Sequence, residues 1–141
     1  MALKTPIINI MTKAAYKAGN ILIKDFREIE NLQVSKKGIG DFVTSADLNS
    51  EKTIIKILQK AYPEIKIISE ETNSEINLNK HEKKWIIDPL DGTLNFLHGL
   101  PHFAISIALM INEEIISGII FDPIKDELFW AEKGVGAFLN N

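Results

Sequence analysis

The chain of 141 residues is 45% hydrophobic and 25% charged, which suits one ordinary globular domain. Its net charge of −3 argues against direct binding of nucleic acid, and the absence of cysteine excludes disulfides and thiolate metal sites. The apolar stretch at residues 6–11 is interrupted by Asn9 and is too short for a signal peptide or a membrane span, so we expect a cytoplasmic protein.

Two helices are predicted in the N-terminal part of the chain. The first has Thr5 as its cap, and its apolar residues recur at helical spacing as far as Phe26. We interpret Gly38 and Gly40 as a loop, because Gly-Ile-Gly lacks the other residues of a nucleotide-binding loop. A second helix is predicted at about 47–61, where Tyr62-Pro63 ends it. Its apolar positions are Leu48, Ile55 and Leu58.

Two apolar runs that follow the helices each end in a pair of carboxylates. The first run, at 65–68, has the alternation of a strand and leads to Glu70 and Glu71. The second run contains Ile86 and Ile87 and leads to Asp88 and Asp91. Adjacent strands in one sheet would bring carboxylates of both runs together, and such a cluster needs a cation. The sequence therefore predicts a site for one or two Mg²⁺ ions.

The segment after the second run also has features of a phosphate site. We interpret Pro89 and Gly92 as a turn that separates Asp88 from Asp91. Gly92 would let the backbone approach a ligand, and a helical turn that begins at Thr93 would direct free amides at an anion. Asp-Pro and Asp-Gly pairs also mark turns without any function, so this interpretation depends on the second acidic site.

The rest of the chain has the alternating pattern of β-strands separated by short polar turns. Strands are predicted at 104–111, 115–121, 127–131 and 135–139. Together they form an antiparallel meander, and we interpret Trp85 and Trp130 as packing residues. The predicted fold class is α+β, with two helices packed on one face of an antiparallel sheet.

Three motifs resemble those of the inositol monophosphatase family. The longest covers residues 85–96 and continues through Pro101 and residues 106–109. Residues 40–47 and the Glu70-Glu71 pair match in the expected order and spacing, and the region after Asn95 is similar to the bacterial extragenic suppressor type. The resemblance covers essentially the whole chain. It implies that residues 1–141 are the N-terminal, metal-binding half of the layered α/β sugar-phosphatase fold.

The same resemblance implies roles for individual residues. The metal ligands would be Glu70, Asp88, Asp91 and the backbone carbonyl of Leu90. Thr93, with Glu70, would orient the attacking water, and the amides of Gly92 and Thr93 would hold phosphate oxygens. Asp91 would also contact a substrate hydroxyl. Further residues would surround these ligands or reach an outer phosphate oxygen, namely Lys36, Asp41, Thr44, Asp47 and Glu71.

The implied function is Mg²⁺-dependent hydrolysis of a small phosphate monoester, in particular inositol monophosphate, by a metal-activated water. A protein nucleophile is not expected, since the sequence has no cysteine and no triad spacing. One alternative substrate is a bisphosphorylated nucleotide or sugar. Another alternative is a noncatalytic interaction protein, or a remnant half, that associates with a partner such as the transcription machinery.

Family members continue beyond this pattern into a second α/β half. That half supplies a further metal-binding aspartate and most contacts to the substrate. We therefore expect this chain to lack it, to have weak or no phosphatase activity alone, and to form a homo-oligomer or pair with a C-terminal half.

Overall fold

The computed structural model describes residues 3–31, 38–69 and 82–140. In these ranges the elements, in chain order, are α1 Pro6–Asn31, α2 Ile39–Ala61, β1 Lys66–Ser69, β2 Lys83–Asp91, α3 Thr93–Leu97, β3 Ala104–Ile111, β4 Glu114–Asp122, β5 Glu127–Glu132 and β6 Gly136–Leu139. No helix in this part of the chain is long and apolar enough to cross a membrane.

Helix α1 begins where the sequence predicts. The amide of Ile8 donates a hydrogen bond to Thr5 Oγ1 over 3.3 Å, which satisfies one of the amides left free in the first turn. The apolar stripe of α1 is buried against α2 and against strands β3 and β4. Gly19 allows the closest approach, since a Cβ there would lie 2.7 Å from Phe121 Cε1. The stripe is therefore a packing face within the domain.

Helix α2 begins earlier than the sequence predicts, at Ile39 instead of about Asp47. Gly40 is helical and its carbonyl accepts a hydrogen bond from Thr44 Oγ1 over 3.0 Å, so the predicted loop around Gly40 is wrong. Glycine and β-branched residues disfavour a helix only weakly. Burial of Val43 outweighs that preference, because the extra turns place its side chain in the core.

The six strands form one sheet in which spatial order equals chain order, from β1 to β6. Strands β2 to β6 are antiparallel neighbours, as predicted, but β1 pairs with β2 in parallel. The sheet is therefore mixed and not wholly antiparallel, while the α+β class is confirmed. Because parallel strands run in one direction, β1 and β2 both end at the same edge of the sheet.

Helices α1 and α2 cover one face of the sheet, and the core lies between these helices and the sheet. Trp85 and Trp130 are buried in this core, which confirms them as packing residues. The opposite face, here called the outer face, is defined by one row of paired residues that runs across β2 to β6. That row consists of Asp88, Ser106, Ile120, Phe129 and Leu139. An open, mainly apolar groove of about 520 Å³ lies on the outer face.

Candidate metal and phosphate site

The segment from Asp88 to Asp91 is a β-bulge within strand β2. Asp88 pairs with Ser106 and Asp91 with Ala104, so two residues of β2 lie opposite the single residue Ile105. The predicted turn between the two aspartates is therefore wrong, because the strand continues through Asp91. Residues three apart on a regular strand point to opposite faces. The extra residue of the bulge corrects this and brings both carboxylates to the outer face.

Three hydrogen bonds hold the backbone of the bulge. The amide of Leu90 donates to Asp88 Oδ1 over 3.3 Å, and Thr93 Oγ1 donates to the carbonyl of Leu90 over 3.2 Å. The carbonyl of Pro89 accepts a 2.7 Å bond from Ser50 Oγ of α2, and this contact is buried. Proline has no amide to lose from the ladder, which suits it to a bulge. These three hydrogen bonds therefore fix the backbone between Asp88 and Asp91.

Gly92 forms the junction between β2 and the short helix α3. Its φ of 96° lies in the left-handed region, and a Cβ would come within 3.0 Å of the carbonyl oxygen of His102. The helical turn predicted at Thr93 is present, with the amide of Phe96 bonded to the carbonyl of Gly92 over 3.0 Å. Asn95 Nδ2 donates to His102 over 2.8 Å and ties α3 to the segment before β3.

Helix α2 presents a buried polar face to this region. Its side chains Asp47, Ser50 and Glu51 are 4%, 0% and 5% exposed. Glu51 Oε2 accepts a 3.0 Å hydrogen bond from Ser69 Oγ, the last residue of β1. None of the motifs in the sequence predicted a role for Ser50, Glu51 or Ser69.

A signal for this polar face was present in the sequence. Val43, Asp47, Glu51, Ile54 and Leu58 lie on one helical stripe, so the polar members share a face with core residues. Leu48, which was predicted to be one of the apolar positions, is 41% exposed.

The structure brings some of the predicted site residues together and leaves others apart. Asp88, Leu90, Asp91, Gly92 and Thr93 lie in one segment, beside which helix α2 packs with its buried Asp47. Asp41 and Thr44 are exposed in the first turns of α2. Other predictions fall outside the described residues, namely those for Lys36, Glu70 and Glu71.

The donor atoms in this segment suit a hard divalent cation. Asp88 and Asp91 supply carboxylate oxygens, and Leu90 supplies a backbone carbonyl, which are the ligand types that Mg²⁺ prefers. Within the ranges 3–31, 38–69 and 82–140, no group of three or more His, Asp or Glu side chains is close enough to hold a metal. Glu70, the further carboxylate that the family resemblance implies, lies outside the described residues.

Comparison with known proteins identifies the family. Residues 3–141 match the model of the inositol monophosphatase family. The chain belongs to that family. An inositol-1-monophosphatase of Rhizobium meliloti is 49% identical over 138 residues, which are 98% of this chain and 52% of that enzyme. The Nus factor SuhB of Haemophilus influenzae is 46% identical over 135 residues, which are 96% of this chain and 50% of that protein.

Solved structures of family members have the same fold. The extragenic suppressor protein suhB of Bartonella henselae aligns with a TM-score of 0.82 and 48% identity, over 97% of this chain and 53% of that one. The inositol monophosphatase of Anabaena aligns with a TM-score of 0.78 and 36% identity, over 96% of this chain and 47% of that one. The chain therefore spans about half the length of the relatives that it matches.

Proposed function

We propose that this chain carries the metal-binding part of a cytoplasmic Mg²⁺-dependent phosphatase that hydrolyses inositol monophosphate or a similar small polyol phosphate. Family membership supports a phosphoric monoester hydrolase at the level of the family. The observation that carries the proposal for this chain is the bulge in β2, which turns Asp88 and Asp91 to the same face on either side of the Leu90 carbonyl.

In this proposal the chain's own residues bind the ion and the substrate. Asp88, Asp91, the Leu90 carbonyl and Glu70 hold the ion, which when bound neutralises phosphate charge and makes water more acidic. The Thr93 hydroxyl, together with Glu70, orients the attacking water. The amides of Gly92 and Thr93 donate hydrogen bonds to phosphate oxygens, and the Asp91 carboxylate accepts a hydrogen bond from a substrate hydroxyl. The family resemblance supports a further proposal, that Asp47 and four other residues would surround this group, namely Lys36, Asp41, Thr44 and Glu71.

The outer face carries exposed apolar side chains that another chain segment could cover. Ile120, Phe129 and Leu139 remain about half exposed there, and relatives carry nearly as many residues again. We infer that the second half-length found in relatives packs on the outer face, joined to this chain or supplied by a separate one. Since Asp88 begins the same row, a chain segment on this face would also close over the metal site.

A second candidate function is noncatalytic. Relatives named Nus factor SuhB are as similar to this chain as relatives named phosphatases, which favours association with a partner such as the transcription machinery. Asp88→Asn separates the two candidates. It eliminates phosphate release if the protein is a phosphatase, and it leaves partner binding unchanged if the protein acts only by association.

The experiment for the phosphatase proposal is titration calorimetry of the purified chain with MgCl₂. We expect the wild-type chain to bind Mg²⁺. Asp88→Asn should weaken this binding by at least about tenfold, because a carboxylate that contacts the ion directly is lost. Asp126→Asn is the matched control, since it removes one charge in the turn after β4 and asparagine tolerates the φ of 54° there. Wild-type chain that binds no Mg²⁺ at millimolar concentration would contradict the proposal. A panel of phosphate esters, assayed with and without a relative's C-terminal half, then identifies the substrate class.

A further inference from the structure

We propose that Ser50 and Glu51 of helix α2 are positioning residues that fix the two carboxylate-bearing strand ends of the metal site relative to each other. This inference rests on the proposed function and adds two residues to it. Neither side chain is proposed to contact metal or substrate. Each acts through a buried hydrogen bond to one of the two parallel strands.

Ser50 holds the bulge of β2. Its side chain is fully buried, and its Oγ donates a 2.7 Å hydrogen bond to the carbonyl of Pro89. Pro89 lies between Asp88 and Asp91, in the part of β2 where the ladder to β3 is interrupted. A carbonyl that has lost its ladder partner needs another donor when it is buried. Ser50 supplies that donor and so determines where the backbone between the two aspartates lies.

Glu51 holds the end of β1. Its Oε2 accepts a 3.0 Å hydrogen bond from Ser69 Oγ, and both residues are buried, with Ser69 0% exposed. Ser69 is the last residue of β1 and immediately precedes Glu70 in the sequence. The bond therefore anchors the residue from which the chain continues to the predicted third carboxylate.

The two contacts are linked by helix geometry. Consecutive residues on an α-helix diverge by about 100°, so Ser50 and Glu51 reach two different strands from one point on α2. Those strands, β1 and β2, are parallel neighbours with Ser69 paired to Ile87. The end of β1 and the bulge of β2 are therefore both hydrogen-bonded to the same turn of α2. This turn fixes the position of one strand end relative to the other before an ion binds.

The polar character of these positions supports a role beyond packing. Ser50 and Glu51 lie on the stripe of α2 whose other buried members include Val43, Ile54 and Leu58. Burying a carboxylate costs desolvation free energy, so a hydrocarbon side chain of similar size would stabilise the fold more. A carboxylate at this position is therefore explained better by the hydrogen bond that it makes. Metal sites lose affinity when the groups that orient their ligands are removed.

The first test is Mg²⁺ titration calorimetry of Ser50→Ala in the full chain, with urea unfolding of the same samples. We expect Ser50→Ala to weaken Mg²⁺ binding about tenfold. The matched control is Thr12→Ala on α1, which also removes a buried hydroxyl, one that donates 2.7 Å to the carbonyl of Ile8. Thr12→Ala should bind Mg²⁺ as the wild type does, and it should lose less stability than Ser50→Ala because the Ile8 carbonyl keeps its helical hydrogen bond.

The second test separates positioning from direct ligation at Glu51. Glu51→Gln keeps an acceptor oxygen for Ser69 and should retain Mg²⁺ affinity, whereas Glu51→Met and Ser69→Ala should both lower it. The double variant Glu51→Met with Ser69→Ala should be no weaker than either single variant, since all three remove one bond. The Glu51 and Ser69 variants also test the positioning role if Ser50→Ala does not fold.

The outcomes distinguish this inference from the proposed function. Wild-type chain that binds no Mg²⁺ overturns both. Folded Ser50→Ala and Ser69→Ala proteins that bind Mg²⁺ as tightly as wild type overturn the positioning role alone. A large loss of affinity in Glu51→Gln also overturns it, because that result would make the charge of Glu51 and not its hydrogen bond the essential property.

Discussion

Gly92 combines two requirements that a side chain would violate. Its φ of 96° is unfavourable for any residue with a Cβ, and the Cβ itself would meet the His102 carbonyl oxygen at 3.0 Å and Phe103 at 3.3 Å. We expect Gly92→Ala to destabilise the chain by about 2–3 kcal/mol. The displaced junction should also weaken Mg²⁺ binding, because Asp91 is the neighbouring residue.

Urea unfolding and Mg²⁺ calorimetry measure these effects. Gly99→Ala is the matched control, since Gly99 also has a positive φ, of 71°, but has open space where the Cβ would be. It should lose only about 1 kcal/mol and bind Mg²⁺ normally. Equal losses in the two variants would show that the contact with His102 is unimportant.

At the scale of single residues, the sequence predicted the local geometry between Asp88 and Asp91 only in part. The spacing of Asp88 and Asp91 is odd, so a regular strand would have separated them, and a turn was the simplest way to reunite them. The structure uses a bulge instead. Its third anchor, the bond from Ser50, joins residues far apart in the chain, and no local pattern predicts such a contact.

At the scale of elements, α1 packs tightly against β4 at Gly19. A Cβ there would lie 2.7 Å from Phe121 Cε1 and 3.1 Å from Pro123 Cβ. The Phe121 ring is held by an edge contact to Tyr16, with ring centroids 4.7 Å apart, so it cannot easily move. We expect Gly19→Ala to destabilise the chain by about 1–3 kcal/mol in thermal or urea unfolding, despite the better helix propensity of alanine.

Gly40→Ala is the control for helix propensity. Gly40 is also helical, in the first turn of α2, but nothing lies within 4 Å of its would-be Cβ. We expect Gly40→Ala to be neutral or to stabilise the chain by up to about 1 kcal/mol. A Gly19→Ala protein as stable as Gly40→Ala would mean that α1 and β4 can separate at little cost.

Elements with a strong repeating pattern were predicted well from the sequence. The start of α1 and both ends of strand β3 were predicted, as were the strands that complete the meander. The start of α2 was missed because glycine and β-branched residues favour other conformations, and only packing of Val43 makes them helical. The parallel pairing of β1 with β2 depends on tertiary contacts that periodicity does not report.

At the scale of the whole molecule, the outer face should make the isolated chain associate. Ile120 and Phe129 are 51% and 45% exposed next to each other on β4 and β5. We expect Ile120→Thr with Phe129→Thr to weaken self-association by more than about tenfold in sedimentation velocity, because two large apolar side chains are lost from the contact. Threonine keeps the preference of both positions for a strand.

Leu3→Thr is the control for the loss of an exposed apolar side chain. Leu3 is 88% exposed and precedes α1, and it is not part of the row of residues that defines the outer face. Its substitution should leave association unchanged. A wild-type chain that stays monomeric at high concentration, and that binds no more of an apolar dye than the double variant does, would argue against this face as a docking surface.

Because the spatial order of the strands equals their chain order, we expect the sheet to assemble in the order of synthesis during translation. Helices α1 and α2 leave the ribosome first and pack on each other. Every strand from β2 onward then finds its partner already made, since each pairs with the strand synthesised just before it. However, the surface of α1 at Gly19 is covered only after Phe121 of β4 has been synthesised. Gly19 therefore lacks its partner while the roughly 60 residues between Ala61 and Phe121 are synthesised, an interval in which a chaperone has a defined apolar target.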